Sequence, residues 1–484
     1  MLEELIIDIL PPIISICELM GIFVVAVSAL RAFWHYCRGL VSRTPRDVKF
    51  ELANGLATSL EFKMAAEILK TVLVRDLNEL LGGGGGDLRR PLLPVRSLFD
   101  IKEPQTGRLW AEERSSAQTV FQRLHKGLEL HMTTLYLIRH AEAEGNLYRR
   151  IHGWYDALVT PNGLRQIEAL EGRFAGVPVD AVYSSDLYRT KTTAKAVYLP
   201  KGLPLHTDPG LREVHMGDWE DRPWGEIRET DGERLTLFNR SDPVWRAPNG
   251  ESLGQVGERM ERTIRAIAQK HPDQTVALFS HGTAIRQFLA NVRGVKPEDW
   301  HTLPHADNTA VTCLAWDGES FHVIFEGDNT HLDDSISTLA RQSWWRKGPN
   351  RGEDVNLWFR PLDREKDREA YLAARRDAWI SIHGADVPFD GPAFWEGALQ
   401  VMDQDPWAVT AVMAREEFAG LLQLSPPRCQ EEGAGFLSLC YLTPAFRGKG
   451  LGVQLLGQAG SFYRPKGRTS LRLRCSAANE PVQR

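Results

Sequence analysis

The sequence predicts an α/β protein made of several domains. Short apolar runs rich in β-branched residues alternate with longer amphipathic stretches, as strands alternate with helices in α/β folds. At about 150 residues per domain, a length of 484 residues predicts roughly three units. The composition also changes sharply along the chain, which separates an apolar N-terminal segment from the units behind it.

The overall composition excludes several classes of protein. Hydrophobic residues make up 43% of the chain, charged residues make up 25%, and the net charge is -5. These values exclude a wholly disordered chain, a collagen-like repeat and a strongly basic nucleic-acid-binding protein, so no nucleic-acid partner is expected. The six cysteines are scattered without a CxxC pair, which argues against a disulfide scaffold and fits a reducing compartment.

The N-terminal segment contains one long apolar run. From Ile9 to Leu30 the only charged residue is Glu18, and a helix of that length would span about 33 Å, enough to cross a bilayer. Acidic residues precede the run and basic residues follow it, beginning with Arg31. The positive-inside rule then predicts a single-pass membrane protein with the rest of the chain in the cytoplasm.

Two other interpretations of this run stay open. Ala26-Val27-Ser28 would serve as the cleavage site of a signal peptide, although the acidic flank is unlike that of a signal peptide. Glu18 lies near the middle of the run, where an ionised group is costly in a membrane, and this favours a buried helix of a soluble domain.

Residues 48–81 predict an amphipathic helix, because apolar residues recur every four positions from Leu52 to Val72. The stretches MLEELIIDILPPIISICELMGIF and RDVKFELANGLATSLEFKMAAEILKTVLVRDLNELL resemble a family of small uncharacterised bacterial membrane proteins. The resemblance implies transmembrane and amphipathic helices over residues 1–81. That family usually continues into another hydrophobic span, whereas this chain runs into Gly82–Gly86, and residues 82–131 are predicted to be a linker.

The next segment places charged residues directly behind predicted strands. Thr133–Ile138 predicts a buried strand and is followed by Arg139 and His140, while Arg189 and His281 follow later strands. Since α/β folds place their sites at the carboxyl ends of parallel strands, these side chains are expected to meet. Imidazoles beside guanidinium groups suit a dianionic phosphate, and histidine can attack phosphorus as a nucleophile. No carboxylates accompany them at the spacing of metal ligands, so no metal site is expected.

Four ordered blocks in this segment carry a family resemblance. They read LIRHAEAEGNLYRRIHG, SSDLYRTKTTA, LREVHMGDWE and SHGTAIR. In this order they resemble the histidine phosphatase superfamily, which has the phosphoglycerate mutase-like fold. The resemblance implies a three-layer α/β/α domain over residues 132–335. Ala141 stands where that family usually has glycine.

The resemblance implies a role for each matched residue. His140 would be the nucleophile that becomes phosphohistidine, Glu213 would protonate the leaving oxygen and later activate water, and His281 would be the third catalytic residue. The implied phosphate-binding residues are Arg139, Asn146, Arg189 and His281. The substrate would be a small-molecule phosphate ester, and the phosphatase would need no cofactor. The short connection between Glu213 and His281 favours a phosphatase, and phosphoglycerate mutase-type phosphoryl transfer stays an alternative.

Other histidines and tryptophans of this segment are less informative. Surface or turn positions are expected for His152, His215 and His305. Three tryptophans could line the pocket or pack in the core, and these are Trp154, Trp219 and Trp224.

Residues 352–484 predict a further domain, behind a linker of residues 336–351. VNLWFRPL predicts a strand, WAVTAVMAR and FAGLLQL predict a hairpin, and GFLSLCYL predicts a strand that runs into a glycine-rich loop and a helix. A glycine-rich loop before a helix presents backbone N–H groups to an anion such as a pyrophosphate.

The run RGKGLG in that loop resembles the pyrophosphate-binding loop of the GNAT acetyltransferase family. The resemblance implies an acetyl-CoA site, an amine as acetyl acceptor, and Leu439–Leu442 as the strand beside the pantetheine arm. The implied cofactor-binding residues are Leu442, Arg447, Gly448, Lys449, Gly450, Leu451 and Gly452. Glu416 and Glu417 are candidate bases with an exposed hairpin turn as their alternative, and Asn479 matches a position after the next strand. Because the sequence stops at Arg484, the implied α+β domain is expected to be truncated, with an unpaired sheet edge.

These patterns predict a bifunctional enzyme. A phosphatase that hydrolyses a phosphate monoester through phosphohistidine would be joined to an N-acetyltransferase-like domain. In a second hypothesis, the GNAT-like domain carries the main activity. In a third, the N-terminal helices mediate assembly of a scaffold in which neither site turns over.

Overall fold

The computed structural model describes residues 132–342 and 355–475. We call residues 132–342 the first domain and residues 355–475 the second domain. The predicted membrane-spanning and amphipathic helices, the linker of residues 82–131 and Asn479 lie outside the described residues. Within the two described ranges, no helix combines the length and the apolar character that crossing a bilayer requires.

The first domain contains a six-stranded sheet. Its strands are β1 (Thr133–Arg139), β2 (Ala181–Ser184), β3 (Leu205–Thr207), β4 (Thr275–Ser280), β5 (Val311–Trp316) and β6 (Phe321–Asp328). Their order across the sheet is β3-β2-β4-β1-β5-β6. The first four are parallel, whereas β5 runs antiparallel to β1 and β6 antiparallel to β5. The central strands β4 and β1 are therefore adjacent, and they end at the same edge.

The described part of the first domain has eight α-helices, and some of them begin at capping residues. They are α1 (Glu144–Tyr148), α2 (Pro161–Phe174), α3 (Tyr188–Tyr198), α4 (Trp224–Thr230), α5 (Gly232–Asn239), α6 (Leu253–Lys270), α7 (Gly282–Val292) and α8 (Thr338–Arg341). Thr160 caps α2 by accepting the N–H of Gly163, and Ser252 and Gln255 form a reciprocal capping box at α6. These bonds satisfy N–H groups that a helix start leaves without partners.

Both faces of the first sheet are covered by helices. On one face, Leu135 of β1 shares an apolar core with Ile264 of α6 and Phe288 of α7. On the other face, Ile138 of the same strand shares a core with Leu170 of α2. Burial on both faces is typical of parallel sheets and explains the continuous apolar runs in the sequence. The first domain therefore has the three-layer α/β/α arrangement.

The second domain is built on a five-stranded sheet. Its strands are β7 (Trp358–Pro361), β8 (Val409–Ala414), β9 (Glu417–Leu424), β10 (Ala434–Leu442) and β11 (Ser470–Leu473), and its helices are α9 (Arg368–His383), α10 (Gly391–Gln404) and α11 (Gly452–Tyr463). The order is β11-β10-β9-β8-β7, and only β10 and β11 are parallel. Leu455 of α11 packs on one face of this sheet, and Tyr371 of α9 and Ala398 of α10 pack on the other.

Strands β10 and β11 separate partway along their length. They pair from Ala434 to Leu437, and β10 then continues alone on this side to Leu442, with a register shift against β9 beside Leu439. All four residues of β11 are exposed at the edge of the sheet.

The segment behind β6 belongs to the first domain. Ser337 Oγ donates to Asp307 Oδ2 at 2.5 Å, and Thr338 Oγ1 donates to Glu142 Oε2 at 3.1 Å. Ser337 and Thr338 are buried. The predicted linker of residues 336–351 therefore begins later than expected, because these hydroxyl groups satisfy buried carboxylates.

Candidate active site

The edge where the parallel strands of the first domain end carries the predicted histidines. Arg139 at the end of β1 pairs in register with Ser280 at the end of β4, so His140 and His281 follow as neighbours. Their ring centroids lie 5.2 Å apart. Adjacent central strands thus bring together two residues that are far apart in the sequence.

His140 is buried and held in one tautomer. Its Nδ1 donates to the carbonyl oxygen of Ala141 at 2.7 Å, which leaves Nε2 as the nitrogen with the lone pair. Burial lowers the pKa of His140 well below its usual range, and the guanidinium groups of Arg189 and Arg139 lower it further. A neutral imidazole is the form that can act as a nucleophile.

His281 is oriented by Ser185, which follows β2. The Ser185 hydroxyl accepts the N–H of Leu187 at 3.2 Å and shares a hydrogen bond of 2.9 Å with Nε2 of His281. Burial, followed by the charge of Arg189, holds the pKa of His281 well below its usual range.

Two arginines, the buried Arg189 and the half-buried Arg139, supply positive charge beside these rings. Arg189 in the first turn of α3 donates to the carbonyl oxygens of Tyr155 at 3.0 Å and Gly153 at 2.7 Å. Arg139 donates through Nη1 to the carbonyl oxygen of Ala306 at 2.6 Å. Burial lowers the pKa of Arg189 to about 10, so it stays protonated at neutral pH.

Seven buried side-chain nitrogen atoms find no hydrogen-bond partner within the described ranges, and three of them lie in this group of residues. These three are Arg139 Nε, His152 Nδ1 and His281 Nδ1. A buried polar atom without a partner costs free energy, so a group of them in one place is consistent with a ligand site. A phosphoryl group offers several strong acceptor oxygens, which suit the Nε–H donor of Arg139.

Glu213 lies at the N-terminus of α7. Its Oε1 accepts the N–H groups of Val214 at 3.0 Å and Ala284 at 2.9 Å, and its Oε2 accepts the N–H of Thr283 at 3.0 Å. Because α7 begins directly after His281, these bonds place the Glu213 carboxylate next to the histidine pair. Glu213 is buried, as a proton-transfer group in a closed pocket would be.

Asn146 lies in α1, where its side chain contributes to the start of the helix. Its Oδ1 accepts the N–H of Ala143 at 3.1 Å and the Nδ2 group of Asn308 at 3.4 Å. Asn308, which the sequence analysis did not select, also donates to the carbonyl oxygen of His140 at 2.9 Å. The oxygen of Asn146 is thus engaged, and any contact to a phosphoryl oxygen would come from its amide nitrogen.

The prediction of a surface or turn position for His152 is wrong. The His152 side chain is only 6% exposed, stacks on Tyr155 with ring centroids 4.6 Å apart, and shares a hydrogen bond of 3.0 Å with Asp221. Nothing in its sequence context signals this, because the carboxylate partner is distant in the chain. His305 is exposed, as expected, and His215 is half-buried against Trp154.

Glu220 is a second residue that the sequence analysis missed. Its carboxylate accepts the N–H groups of Gly153 at 3.1 Å, Trp154 at 2.6 Å and Tyr155 at 2.9 Å. Gly153 and Tyr155 also provide carbonyl oxygens that bind Arg189, so Glu220 fixes the segment around that arginine. The adjacent tryptophan and glutamate at the end of the block LREVHMGDWE were the sequence signal that could have identified Glu220.

The three tryptophans have different environments. Trp219 is 1% exposed and packs in the core, whereas Trp154 is 37% exposed and donates to the carbonyl oxygen of Glu213 at 2.8 Å. Arg212 lies over the Trp154 ring at 4.5 Å. Trp224 stacks on Phe238 away from this group. Of these three tryptophans, only Trp154 therefore borders the candidate site.

The glycine-rich loop of the second domain lies between β10 and α11. Gly448 and Gly450 have φ angles of 72° and 70°, and a Cβ at either position would meet no atom within 4 Å. Left-handed glycines that alternate with ordinary residues point backbone N–H groups into a shared concavity, which binds anions. Gly448, Lys449 and Gly450 are exposed. The loop, together with the separation of β10 from β11, thus fits a ligand with a pyrophosphate and an extended arm.

Side chains of the loop have structural contacts. Arg447 donates to the carbonyl oxygen of Leu442 at 2.8 Å and to Asp377 of α9 at 2.5 Å. The guanidinium group therefore anchors the loop to the end of β10, and the backbone is left to face a ligand. Glu416 lies in the exposed turn between β8 and β9, and Glu417 begins β9 in an exposed position.

No group of three or more histidine, cysteine, aspartate or glutamate residues in the described ranges is arranged to hold a metal ion.

Three family models match the chain. The model of the histidine phosphatase superfamily (branch 1) matches residues 135–329, and that of the acetyltransferase (GNAT) family matches residues 369–484. A model named protein of unknown function (DUF1622) matches residues 24–82. The first two matches confirm the phosphatase and acetyltransferase resemblances of the sequence, and the third associates the N-terminal segment with a family of unknown function.

Similar proteins match the first domain. The probable phosphoglycerate mutase GpmB of Yersinia pestis (strain Pestoides F) is 31% identical over 208 residues, which are 42% of this chain and 96% of that protein. The structure of YhfR from Bacillus stearothermophilus is 32% identical, covers 42% of this chain and 100% of its own, and has a TM-score of 0.41. The structure of a mycobacterial glucosyl-3-phosphoglycerate phosphatase is 26% identical, covers 41% of this chain and 100% of its own, and has a TM-score of 0.38. Since the family model and the curated relative agree, this chain belongs to the histidine phosphatase superfamily.

Proposed function

We propose that the first domain hydrolyses a phosphate monoester through a phosphohistidine intermediate on Nε2 of His140. The observation that carries this proposal is the buried pair of His140 and His281, with ring centroids 5.2 Å apart and two arginines beside them. The Nδ1 bond to Ala141 directs Nε2 toward phosphorus, and burial among guanidinium groups keeps the imidazole neutral.

In the first step, Nε2 of His140 attacks the phosphorus atom and the bond from phosphorus to the leaving oxygen breaks. Protonated Glu213 gives its proton to that oxygen, so the product leaves as an alcohol. Arg139, Arg189 and His281 stabilise the negative charge of the transferring group. The unpartnered Nε of Arg139 is suited to this role.

In the second step, a water molecule attacks the phosphorus atom of phosphohistidine. The Glu213 carboxylate takes a proton from this water, and the bond between nitrogen and phosphorus breaks. The electron pair returns to Nε2 of His140, inorganic phosphate leaves, and Glu213 is protonated again. Glu213 is supported for both steps by its position at the start of α7, directly behind His281.

Trapping of the intermediate tests this proposal. The chain is mixed with 4-nitrophenyl phosphate in EDTA, quenched in alkali and digested. A phosphoryl group on the peptide that contains His140, stable in alkali and lost in acid, is the expected result. Turnover without any phosphopeptide, or phosphate on a serine peptide, would contradict the proposed intermediate.

Phosphoryl transfer to a second substrate is the alternative reaction for the same intermediate. It is favoured by one observation, which is the likeness to a protein named as a probable phosphoglycerate mutase. A screen of many phosphate esters separates the two reactions, because hydrolysis releases inorganic phosphate and transfer does not. We propose hydrolysis as the main reaction, on the ground of the short connection between Glu213 and His281.

We also propose that the second domain binds acetyl-CoA and transfers the acetyl group to an amine. When bound, acetyl-CoA supplies an activated thioester. The backbone N–H groups between Arg447 and Gly452 would hold its pyrophosphate, and Leu439–Leu442 would lie along its pantetheine arm, where β10 has separated from β11. The match to the GNAT family supports this assignment. A rise in the Tm of the chain with millimolar acetyl-CoA is expected, and an unchanged Tm would contradict it.

We further propose that the apolar run from Ile9 to Leu30 anchors the chain in a membrane, with both domains on the cytoplasmic side. The support is the sequence pattern, with acidic residues before the run and basic residues after it. Recovery of the chain in the membrane fraction, resistant to extraction with carbonate, is the expected result. Recovery in the soluble fraction would contradict the anchor.

A further inference from the structure

Helix α11 of the second domain contacts the first domain beside the candidate phosphatase site. Gly457 is buried against Tyr148 of α1, so closely that a Cβ on Gly457 would lie 2.5 Å from the Cβ of Tyr148. A Cβ in that position would overlap the tyrosine, so glycine permits the approach. This approach brings the polar residues that follow on α11 close to the segment that holds Arg189.

Ser461 of α11 completes a network of charged groups in the first domain. Its hydroxyl donates to one carboxylate oxygen of Asp221 and accepts from Nη2 of Arg150 at 2.8 Å. The other Asp221 oxygen accepts from Nε of Arg150 at 2.8 Å and interacts with Nε2 of His152 at 3.0 Å. Gln458 of α11 accepts a further bond from Arg150 at 3.0 Å. The side chains of Arg150 and His152 are both only 6% exposed, so this network is largely shielded from water.

The network reaches the phosphate-binding arginine through the backbone. The guanidinium of Arg189 donates to the carbonyl oxygens of His152 at 3.3 Å, Gly153 at 2.7 Å and Tyr155 at 3.0 Å. Asp221 holds the His152 end of this short segment. At the other end, Arg464 at the end of α11 donates to the Tyr155 hydroxyl at 2.8 Å. The second domain therefore contacts Tyr155 at one end of this segment directly and reaches the other end through Asp221.

We propose that Ser461 is a positioning residue for the phosphatase site. Through Asp221 and His152, it holds the segment whose carbonyl oxygens orient Arg189 for binding a phosphoryl group. This inference rests on the proposed phosphatase function. It adds a contribution from the second domain, so the first domain's site is incomplete without α11. Shielded polar networks act as a unit, and removal of one member reorients the others.

The test uses the full chain with Ser461→Ala. Since Arg189 would bind the phosphoryl group in the substrate and in the transition state alike, its misplacement weakens both. We expect KM for 4-nitrophenyl phosphate and Kd for inorganic phosphate to rise about fivefold to tenfold, with kcat changed less than about twofold. Phosphate binding is measured by calorimetry and needs no turnover.

Matched variants separate positioning from a general effect on folding. Ser461→Thr keeps the hydroxyl and should restore KM. Ser381→Ala removes a serine of α9 whose hydroxyl donates to the carbonyl of Asp377 in its own helix, and it should leave KM and Kd unchanged. Gly457→Leu retains every side chain of the network but pushes α11 away from Tyr148, so it should raise KM as Ser461→Ala does.

The outcomes distinguish this inference from the function on which it rests. If the wild-type chain turns over phosphate esters and Ser461→Ala has the wild-type KM and phosphate Kd, the positioning role is refuted while the phosphatase stands. If the wild-type chain has no turnover, the proposed phosphatase fails, and phosphate affinity decides the positioning role. Weaker binding in Ser461→Ala then supports it, and equal binding, or no binding by either chain, overturns it.

Discussion

The two described domains both carry a candidate site where a strand ends and a helix begins, but they build it from different groups. In the first domain the site consists of side chains, and His140, Arg189, Glu213 and His281 are all buried. In the second domain it consists of the backbone of an exposed loop, with glycines in left-handed conformations at Gly448 and Gly450. One site thus depends on which side chains are present, and the other depends on which backbone angles are accessible.

This contrast predicts opposite sensitivities to mutation. Removal of one side chain should destroy the first site, since a buried charged group cannot be replaced by water. The second site should tolerate changes of side chain but not a residue that resists positive φ. The predictions below are arranged from the largest expected effect to the smallest.

The largest effect is expected for His140→Ala. Without the nucleophile, kcat for a chromogenic phosphate ester should fall by at least about 10⁴-fold, because no phosphohistidine can form. The measurement is release of 4-nitrophenol by the full chain. The rise in Tm with acetyl-CoA should be unchanged, since the loop of the second domain is not altered.

His206→Ala is the matched control, because His206 is an exposed histidine on β3 of the same domain. It should retain wild-type kcat. Substantial turnover by His140→Ala would mean that the first site does not depend on this side chain, and the contrast between the domains would be lost.

A somewhat smaller loss is expected for Gly450→Glu. A side chain at φ of 70° is strained, and a carboxylate would repel the pyrophosphate, so Kd for acetyl-CoA should rise by at least about 100-fold. Gly467→Glu introduces the same residue at φ of 73° in equally open surroundings, and it should bind acetyl-CoA normally. Equal loss of binding in both variants would point to a damaged fold, and the loop would not be the anion site.

Glu213→Gln should lower kcat by about 10²- to 10³-fold. The loss should be greater for an alkyl phosphate than for 4-nitrophenyl phosphate, since a poor leaving group needs the proton. Glu220→Gln instead weakens the hydrogen bonds that hold the segment around Arg189, so the loss of kcat in this variant should be the same for both esters. Kinetics with the two substrates decide the assignment, and an equal loss for Glu213→Gln would remove its acid role.

The smallest effect concerns pH. His140 must be neutral to attack, and burial together with Arg189 and Arg139 holds its pKa well below 6.5. Lowering the pH protonates the imidazole only below that shifted pKa. For 4-nitrophenyl phosphate, whose good leaving group does not need the proton of Glu213, the ratio kcat/KM should therefore stay level from pH 8 to pH 6.5, after allowance for ionisation of the substrate, and fall at lower pH. An acid limb with its midpoint at or above pH 6.5 would contradict the neutral, buried nucleophile.

Much of the first domain could be predicted from its sequence. The apolar run of β1 is followed directly by Arg139 and His140, and strand ends meet at one edge of a parallel sheet, so local patterns were sufficient. His152 could not be recognised in this way. Its burial depends on Asp221, and an interaction between residues far apart in the chain leaves no periodic signal.

The boundary behind β6 was misplaced for a similar reason. Ser337 and Thr338 occur in a short polar stretch that is typical of a linker, yet their hydroxyl groups satisfy Asp307 and Glu142. The side-chain contacts of Arg447 were also not foreseen, since a motif identifies the loop without showing which of its atoms face a ligand.

The contact between Gly457 and Tyr148 restricts which residues the two domains can carry at these positions. A larger residue at 457 would be tolerated only with a smaller one at 148, so these positions are expected to change together in natural variants. A recombination event that exchanged the acetyltransferase portion alone would bring an unmatched helix surface to the phosphatase. Selection should therefore tend to preserve the pair as one heritable unit.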